Sequence, residues 1–193
     1  MNYPKTRLRR LRYNRNIRNM FEDVTVNKSD LIQPIFLVEG KNIKKEIKSL
    51  TGQFQLSIDN AIDFCKSLMN EGVNSIILFG VSSKKDDTGE ISCSSQSIVP
   101  KAIKEIKNKF GDQLLVIADV CNCSYTNHGH CGTIVENDVH NDLTLETLSK
   151  QSLTLAKAGA DVLAPSDMMD GRVQSIRNKL DSSGFEKIPI FPY

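Results

Sequence analysis

The sequence lacks the usual features of membrane proteins and of secreted proteins. No apolar run reaches the roughly 18 residues that a membrane-spanning helix needs, and the amino terminus has no apolar core of a secretory signal. The five cysteines are an odd number in a chain of 193 residues, so the disulfide framework of a small secreted domain is not expected. We therefore expect a protein of a reducing compartment, the cytoplasm, with no membrane partner.

Acidic residues are absent from the first 20 positions, whereas basic residues are frequent there. The basic residues of this segment are Lys5, Arg7, Arg9, Arg10, Arg12, Arg15 and Arg18. The rest of the chain holds 18 of the 25 basic residues and all 23 acidic ones, so it is mildly acidic. A solvated tail, a nucleic-acid-binding tail, a transit peptide and an arm that packs on an acidic neighbouring subunit all fit this pattern. No aromatic-rich binding motif follows, which disfavours nucleic acid as a partner.

Apolar runs alternate with helical patterns along the rest of the chain. Five runs have the character of strands buried on both faces: 31–38, 73–79, 114–120, 161–165 and 188–191. Helices are predicted from the spacing of apolar residues over 58–69, 99–110, 143–158 and 173–180. Each predicted helix is followed by a glycine that can terminate it: Gly72, Gly111, Gly159 and Gly184. This alternation predicts βαβ units and a parallel sheet.

Two α/β architectures fit such a sheet, an open doubly wound sheet and a closed (β/α)8, or TIM, barrel. The absence of G-x-G-x-x-G after the first strand disfavours the dinucleotide-binding form of the open sheet. A closed barrel typically takes about 250 residues, whereas the predicted strands would complete a small open sheet. The residues alone leave this choice open.

Polar residues follow two of the predicted strands. Asp119 and Cys121 end the third run, and Ser166, Asp167 and Asp170 follow the fourth. Because the carboxyl ends of parallel strands share one edge of a sheet, we expect these residues to meet on the functional face. Asp170 also precedes the glycine of a predicted helix start, so capping is the plain interpretation for that residue.

The segment DVCNCSYTNHGHCG, residues 119–132, concentrates thiols and imidazoles. Thiolates are soft ligands that suit zinc, and three protein ligands with an open position are typical of a catalytic zinc site. Cys121, Cys123 and Cys131 are therefore the candidate ligands. His128 or His130 could close the site as a fourth ligand, and three reduced cysteines without metal are the alternative interpretation.

The other two cysteines have structural interpretations. Cys65 lies on the apolar face of a predicted helix, so we expect it in the core. Cys93 is interpreted as an incidental cysteine of a loop.

Long motifs of this chain resemble the porphobilinogen synthase family, also called 5-aminolevulinate dehydratase. The resemblance is carried by DVCNCSYTNHGHCG together with AGADVLAPSDMMDGRVQSIR at 158–177. It extends along the whole chain through RLRRLR at 7–12, DLIQPIFLVEG at 30–40 and ILFGV at 77–81.

The resemblance implies a TIM barrel preceded by an arm that wraps a neighbouring subunit in a homo-oligomer, commonly an octamer. It assigns residues 1–25 to this basic arm. It assigns residues 26–193 to an amino-terminal part of the barrel with about the first five strands, incomplete at its carboxyl end. The resemblance thus favours assembly over nucleic-acid binding for the arm.

The family condenses two molecules of 5-aminolevulinate into porphobilinogen with loss of two waters, a lyase reaction of heme and other tetrapyrrole biosynthesis. In its zinc-dependent branch, the three cysteine ligands correspond to Cys121, Cys123 and Cys131 of this chain. The active-site aspartate and serine correspond to Asp119 and Ser166. The resemblance therefore implies Zn²⁺ as the cofactor, and it leaves open Mg²⁺ as an allosteric ion of the full-length family.

The chain departs from the family pattern near its carboxyl end. The family forms Schiff bases through two lysines, and both lie downstream of the position that Tyr193 occupies. We therefore expect no synthase activity from the 193-residue chain alone, and poor stability of a barrel with open sheet edges. The favoured interpretation is a fragment of a genuine synthase. A decayed gene product and a zinc-binding, non-catalytic pseudo-subunit are the alternatives.

Overall fold

The structure, a computed structural model, describes residues 2–193, which divide into two compact units. The first unit ends at Asp30 and contains the segment predicted to form an arm. Its elements are a 3-10 helix at Leu8–Arg12, helix α1 at Arg15–Met20 and a 3-10 helix at Lys28–Asp30. The Asn14 side chain caps α1 by accepting the Ile17 amide at 3.0 Å. None of residues 2–30 is buried, so this unit has no core of its own.

The second unit, Leu31–Tyr193, is built from strands and helices in alternation. Its strands are β1 Gln33–Val38, β2 Lys44–Glu46, β3 Phe54–Leu56, β4 Ser75–Val81, β5 Leu115–Val120, β6 Ile134–Val135, β7 Asp138–Val139 and β8 Val162–Pro165. Its helices are α2 Ile58–Asn70, α3 Ile98–Phe110, α4 Asn141–Ala158 and α5 Arg172–Asp181, with short 3-10 helices at Glu90–Cys93 and Gly111–Gln113. All four helices predicted from apolar spacing are confirmed.

One sheet holds six strands in the order β2-β3-β1-β4-β5-β8, and β6 pairs only with β7. The pairs β1–β4, β4–β5 and β5–β8 are parallel, which confirms the predicted parallel sheet. The antiparallel pair β2–β3 was not predicted, because each strand has only three residues, too few to establish a period, and the residues of β2 are all charged and exposed.

The fifth predicted strand, 188–191, forms only an isolated parallel bridge between Ile190 and Leu163. Leu163 donates its amide to the Pro189 carbonyl at 3.1 Å and accepts the Phe191 amide at 2.8 Å. Pro189 and Pro192 flank the bridge, and proline has no amide hydrogen to extend a ladder. The segment therefore takes the fifth position beside β8 without becoming a regular strand.

The order of the parallel strands decides between the two predicted architectures. The strands β1, β4, β5 and β8, followed by Ile190, lie side by side in chain order. Strand β3, which is parallel to β1, and then β2 extend the sheet on the other side of β1. A doubly wound sheet reverses its strand order at a switch point, whereas a (β/α)8 barrel adds every strand on the same side. Right-handed connections then place all the helices on one face. The run from β1 to Ile190 therefore has the strand order of a TIM barrel, and β2 and β3 are an addition between β1 and α2.

The two faces of the sheet bury apolar residues in separate clusters. Val116, Ala118 and Leu163 belong to the large core between the sheet and the helices. Ile117 and Val162 belong to a small cluster on the opposite face, which in a barrel is the interior. Both faces of β5 and β8 are thus covered by apolar contacts, as the continuous apolar runs predict.

Glycine with a positive φ, which other residues rarely adopt, ends two of the helices, α3 at Gly111 and α4 at Gly159. Gly159 has φ 103° directly after α4, and its amide bonds to the Ala156 carbonyl. Strand β8 begins three residues later.

Among residues 2–193 no helix combines the length and the apolar character that crossing a membrane requires.

Candidate active site at the carboxyl edge of the sheet

Asp119 and Ser166 meet where strands β5 and β8 end. Asp119 pairs in register with Ala164, so Ser166, which follows β8, lies one step further along the same edge. The Ser166 hydroxyl donates a hydrogen bond of 2.6 Å to Oδ1 of Asp119. The prediction that the residues after these two strands share one face is confirmed.

A second hydroxyl group reaches the same carboxylate oxygen. The Tyr193 hydroxyl donates to Oδ1 of Asp119 at 2.9 Å. The Tyr193 amide also bonds to the Pro165 carbonyl at 3.3 Å, which holds this segment beside the end of β8. Sequence analysis did not place Tyr193 in the site, because 74 positions separate it from Asp119 and no local motif links them.

The environment of Asp119 favours its protonated form more than water does. Burial raises the pKa of this carboxyl group to about 6, and the hydrogen bonds from Ser166 and Tyr193 oppose part of that rise. The negative charge of Asp167 adds a smaller upward effect on the pKa of Asp119. A carboxyl group with a pKa this close to neutral can both accept and return a proton under ordinary conditions.

The three predicted cysteine ligands converge beside this carboxylate. Cys121 follows β5 directly and is buried, and its Sγ lies 2.9 Å from Sγ of Cys123. The Cys123 amide also points at Sγ of Cys121, at 3.5 Å. Cys131 lies near enough to Cys123 for the two thiols to influence each other's pKa, and the backbone of Met168, which follows β8, lowers the pKa of Cys131. The loop after β8 therefore borders the thiol cluster.

The contact between Cys121 and Cys123 shifts the pKa values of the two thiols in opposite directions. The hydrogen bond from Cys121 lowers the pKa of Cys123 to about 7, although burial opposes this change. The same hydrogen bond, followed by burial, raises the pKa of Cys121. Burial also raises the pKa of Cys131. Cys123 is therefore the thiol of the cluster that carries thiolate character near neutral pH.

The thiol cluster suits zinc in the kind and number of its donor atoms. Three convergent sulfur atoms match the soft ligands that zinc prefers. The sulfur atoms of a tetrahedral zinc site lie about 3.8 Å apart, given a Zn–S bond of about 2.3 Å. The 2.9 Å contact of Cys121 and Cys123 is a thiol–thiol hydrogen bond, which a metal would replace on deprotonation. Within residues 2–193, no three His, Cys, Asp or Glu side chains are already spaced to hold an ion.

The two histidines of the segment differ in their distance from the thiols. His128 directs Nε2 to the Asp87 carbonyl at 3.1 Å, and its Nδ1 accepts the His130 amide at 3.1 Å. Nδ1 of His130 lies 3.7 Å from Sγ of Cys131. His130 is therefore the imidazole that adjoins the cluster, while both ring nitrogens of His128 are engaged elsewhere.

The structure also places the residues with predicted structural roles. Cys65 is fully buried in the core, as predicted. Cys93 ends a 3-10 helix instead of lying in a loop, and its thiol donates to the Thr147 carbonyl at 3.5 Å. The predicted capping role of Asp170 is wrong, because Gly171, with φ 77°, takes the N-cap position of α5 and no side chain bonds there.

Asp167 and Arg172 form an ion pair near Cys131. Nε of Arg172 lies 3.6 Å from Oδ2 of Asp167, whose side chain is entirely buried. Oδ1 of Asp167 accepts the Met169 amide at 2.7 Å. Burial nevertheless raises the pKa of Asp167. Sequence analysis placed Asp167 at this edge without a role, and it missed Arg172, whose helical position carries no signal of such a contact.

Comparisons with known proteins connect this geometry with one family. The family model described as delta-aminolevulinic acid dehydratase matches residues 5–193. The delta-aminolevulinic acid dehydratase of Methanothermus sociabilis is 46% identical over 193 residues, which are all of this chain and 60% of that protein. The enzyme of the same name from Helicobacter pylori strain J99 is 46% identical over 188 residues, or 97% of this chain and 58% of that protein.

A solved structure shares the fold as well. The crystal structure of delta-aminolevulinic acid dehydratase (porphobilinogen synthase) from Toxoplasma gondii ME49, in complex with the reaction product porphobilinogen, matches with a TM-score of 0.92 and 36% identity. The match covers 97% of this chain and 54% of that chain. This chain spans about six-tenths of the length of the curated relatives it matches first.

The fold and the edge residues first define a class, the α/β proteins of the TIM-barrel type with a site at the carboxyl ends of the strands. Within that class, the chain belongs to the delta-aminolevulinic acid dehydratase family, whose members are lyases. The resemblance drawn from the sequence motifs is confirmed.

Cys123 is expected to be the fastest of the five cysteines to react with iodoacetamide at pH 7 in the metal-free protein. It is exposed and has the lowered thiol pKa, whereas Cys65 is buried with a pKa raised to about 12 and serves as an internal reference. Labelling is followed by peptide mass spectrometry. Cys121→Ala removes the hydrogen-bond donor and is expected to slow the labelling of Cys123. Modification of Cys131 or Cys93 ahead of Cys123 would contradict this assignment.

Proposed function

We propose that this chain forms part of the active site of a porphobilinogen synthase, which condenses two molecules of 5-aminolevulinate into porphobilinogen with loss of two waters. The observation that carries the proposal is the meeting of Asp119, Ser166 and the three-thiol cluster at one edge of the sheet. The names of the relatives support this substrate, because sequences 46% identical over this whole chain are dehydratases of that compound.

Asp119 is the group proposed to move protons during the condensation. Loss of water requires a proton to be taken from one position and delivered to another, and a carboxyl group with a pKa of about 6 can do both. The Ser166 hydroxyl fixes the orientation of the carboxylate through its 2.6 Å hydrogen bond. The apolar cluster formed by Ile117 and Val162 on the same face limits the water that reaches Asp119.

The thiol cluster is proposed to bind Zn²⁺ through Cys121, Cys123 and Cys131. A bound zinc ion would supply a Lewis acid that polarises an oxygen atom of the substrate. The lowered pKa of Cys123 supports the proposal, because a thiolate is the form of cysteine that binds metal. His130, 3.7 Å from Cys131, is the nearest candidate for a further ligand. The five free cysteines fit the proposed location in the cytoplasm.

We expect the purified chain to bind one equivalent of Zn²⁺ at neutral pH. Cys121→Ser, Cys123→Ser and Cys131→Ser are each expected to weaken binding at least tenfold, because each removes a thiolate ligand. Cys93→Ser, which changes a half-buried thiol outside the cluster, is the matched control and should bind as the unmodified chain does. Affinity is measured by competition with a chelator. Equal zinc affinity in all four variants would count against the cysteine site.

Turnover is tested in a chimera in which residues 1–193 replace the matching part of the Helicobacter pylori enzyme, 58% of that protein. The chimera is expected to produce porphobilinogen in the colorimetric assay. Asp119→Asn in the chimera should lower kcat by roughly 100-fold or more, because proton transfer by a positioned group contributes about that much. The unmodified chain, assayed in parallel, is expected to show no turnover.

A folded chimera that binds Zn²⁺ yet produces no porphobilinogen would contradict the proposed activity. That result would instead favour a zinc-binding pseudo-subunit. Turnover by the 193-residue chain alone would overturn the expectation, drawn from the sequence, that this chain has no synthase activity.

Residues 2–25 are proposed to act as an assembly arm between subunits of a homo-oligomer, an octamer by resemblance. Large apolar side chains of this segment are exposed: Tyr3, Leu8, Tyr13, Met20 and Val24. Apolar residues in a unit without a core are covered when a neighbouring subunit packs on them. The excess of basic residues in this segment complements the mildly acidic remainder of a neighbouring chain.

Deletion of residues 2–25 is therefore expected to lower the mass of the assembly in solution. Size-exclusion chromatography with light scattering measures this mass, and far-UV circular dichroism checks that the second unit keeps its secondary structure. An unchanged oligomer mass in the shortened chain would exclude the arm from assembly.

A further inference from the structure

A single carboxylate organises the loop that contacts the cysteine segment 119–132. The loop runs from Ser82 to Cys93, between β4 and α3, and Asp86 lies inside it. Oδ1 of Asp86 accepts the amides of Thr88 at 2.8 Å and Glu90 at 3.1 Å, and the Gly89 amide as well. Oδ2 of Asp86 accepts the Ile91 amide at 2.9 Å. These bonds hold four successive amides around one side chain and so fix the following 3-10 turn.

The backbone of the same residue is bonded to the cysteine segment. The Asp86 amide donates to the Tyr125 carbonyl at 3.0 Å, and the Asp86 carbonyl accepts the Asn127 amide at 2.9 Å. The next residue, Asp87, extends this contact, because its Oδ1 accepts Nδ2 of Asn127 at 2.9 Å and its carbonyl lies 3.1 Å from His128 Nε2. The bonded stretch 125–128 is the part of the chain that connects Cys123 to Cys131.

The 3-10 turn held by Asp86 also packs on the residue between the first two cysteines. Asn122 is fully buried, and its Oδ1 accepts the Ser92 hydroxyl at 3.4 Å. Gly89, with φ 74°, lies so close that a Cβ atom there would sit 2.9 Å from Cβ of Asn122. The loop thus touches the cysteine segment on both sides of Cys123: the turn contacts residue 122, and Asp86 and Asp87 contact residues 125–128.

We propose that Asp86 is a positioning residue that sets the separation of Cys131 from the Cys121–Cys123 pair, and through it the zinc affinity of the cluster. The two contacts of its loop fix both ends of the stretch in which Cys123 lies, and the backbone bonds of Asp86 anchor the connection to Cys131. Hydrogen-bonded residues behind metal ligands commonly change metal affinity 10–100-fold when they are removed. This inference rests on the zinc binding proposed above.

The test compares Asp86→Ala and Asp86→Asn with the matched control Asp59→Asn. The Asp59 carboxylate likewise accepts a backbone amide, that of Asn42 at 2.8 Å, but it lies at the start of α2, outside the cysteine segment 119–132. Affinity for Zn²⁺ is measured by chelator competition, and global stability by urea unfolding. Asp86→Ala is expected to weaken Zn²⁺ binding at least tenfold. Asp86→Asn, which keeps one acceptor oxygen, should weaken it less, and Asp59→Asn should leave it within twofold of the unmodified chain.

A second readout needs no metal. A short bifunctional thiol reagent should cross-link Cys123 to Cys131 in the unmodified chain, and the yield should fall severalfold in Asp86→Ala and in Asp86→Asn. If the chain binds no Zn²⁺ at all, the zinc proposal fails and the cross-linking yield still decides the role of Asp86. Unchanged cross-linking in folded Asp86→Asn would overturn the inference, as would a loss of zinc affinity in Asp59→Asn as large as that in the Asp86 variants.

Discussion

The side-by-side pairing of β1, β4, β5 and β8 in chain order is the constraint on which the rest of the second unit depends. Because β1, β4, β5 and β8 are added in chain order, their carboxyl ends share one edge, and every loop that leaves this edge can contribute to one site. The hydrogen bond between Asp119 and Ser166 joins residues 47 positions apart only because their strands are neighbours in register. The thiol cluster depends on the same pairing, since the loop after β8 lies close enough to Cys131 to affect its pKa.

Burial gives this edge its chemical character. The carboxyl groups of Asp119 and Asp167 both have raised pKa values because apolar strands and helices exclude water from them. The pKa of Cys123 shifts in the other direction, because the hydrogen bond from Cys121 outweighs burial and lowers it. Groups that hold a proton and groups that release one near neutral pH therefore lie within one small region, which is the arrangement that acid–base chemistry requires.

Much of the fold and part of the site could be predicted from local sequence patterns. The spacing of Ile58, Ile62 and Cys65 fixes a helix, and the apolar run ending in Asp119 fixes a buried strand. The parts that escaped prediction depend on contacts between distant residues. Nothing near Tyr193 indicates that its hydroxyl reaches Asp119, and nothing near Asp86 indicates that its backbone pairs with residues 125–127. The β2–β3 pair escaped because each strand has only three residues and β2, the edge strand, is fully exposed.

The two hydroxyl groups at Asp119 bond to the same oxygen atom, so the two oxygens of the carboxyl group have different surroundings. Oδ1 receives both Ser166 and Tyr193, while Oδ2 receives no hydrogen bond from any residue within 2–193. The carboxyl group is thereby made unsymmetrical, with one oxygen hydrogen-bonded twice and the other not bonded by these residues. The chain itself therefore favours Oδ2 over Oδ1 as the atom that exchanges a proton.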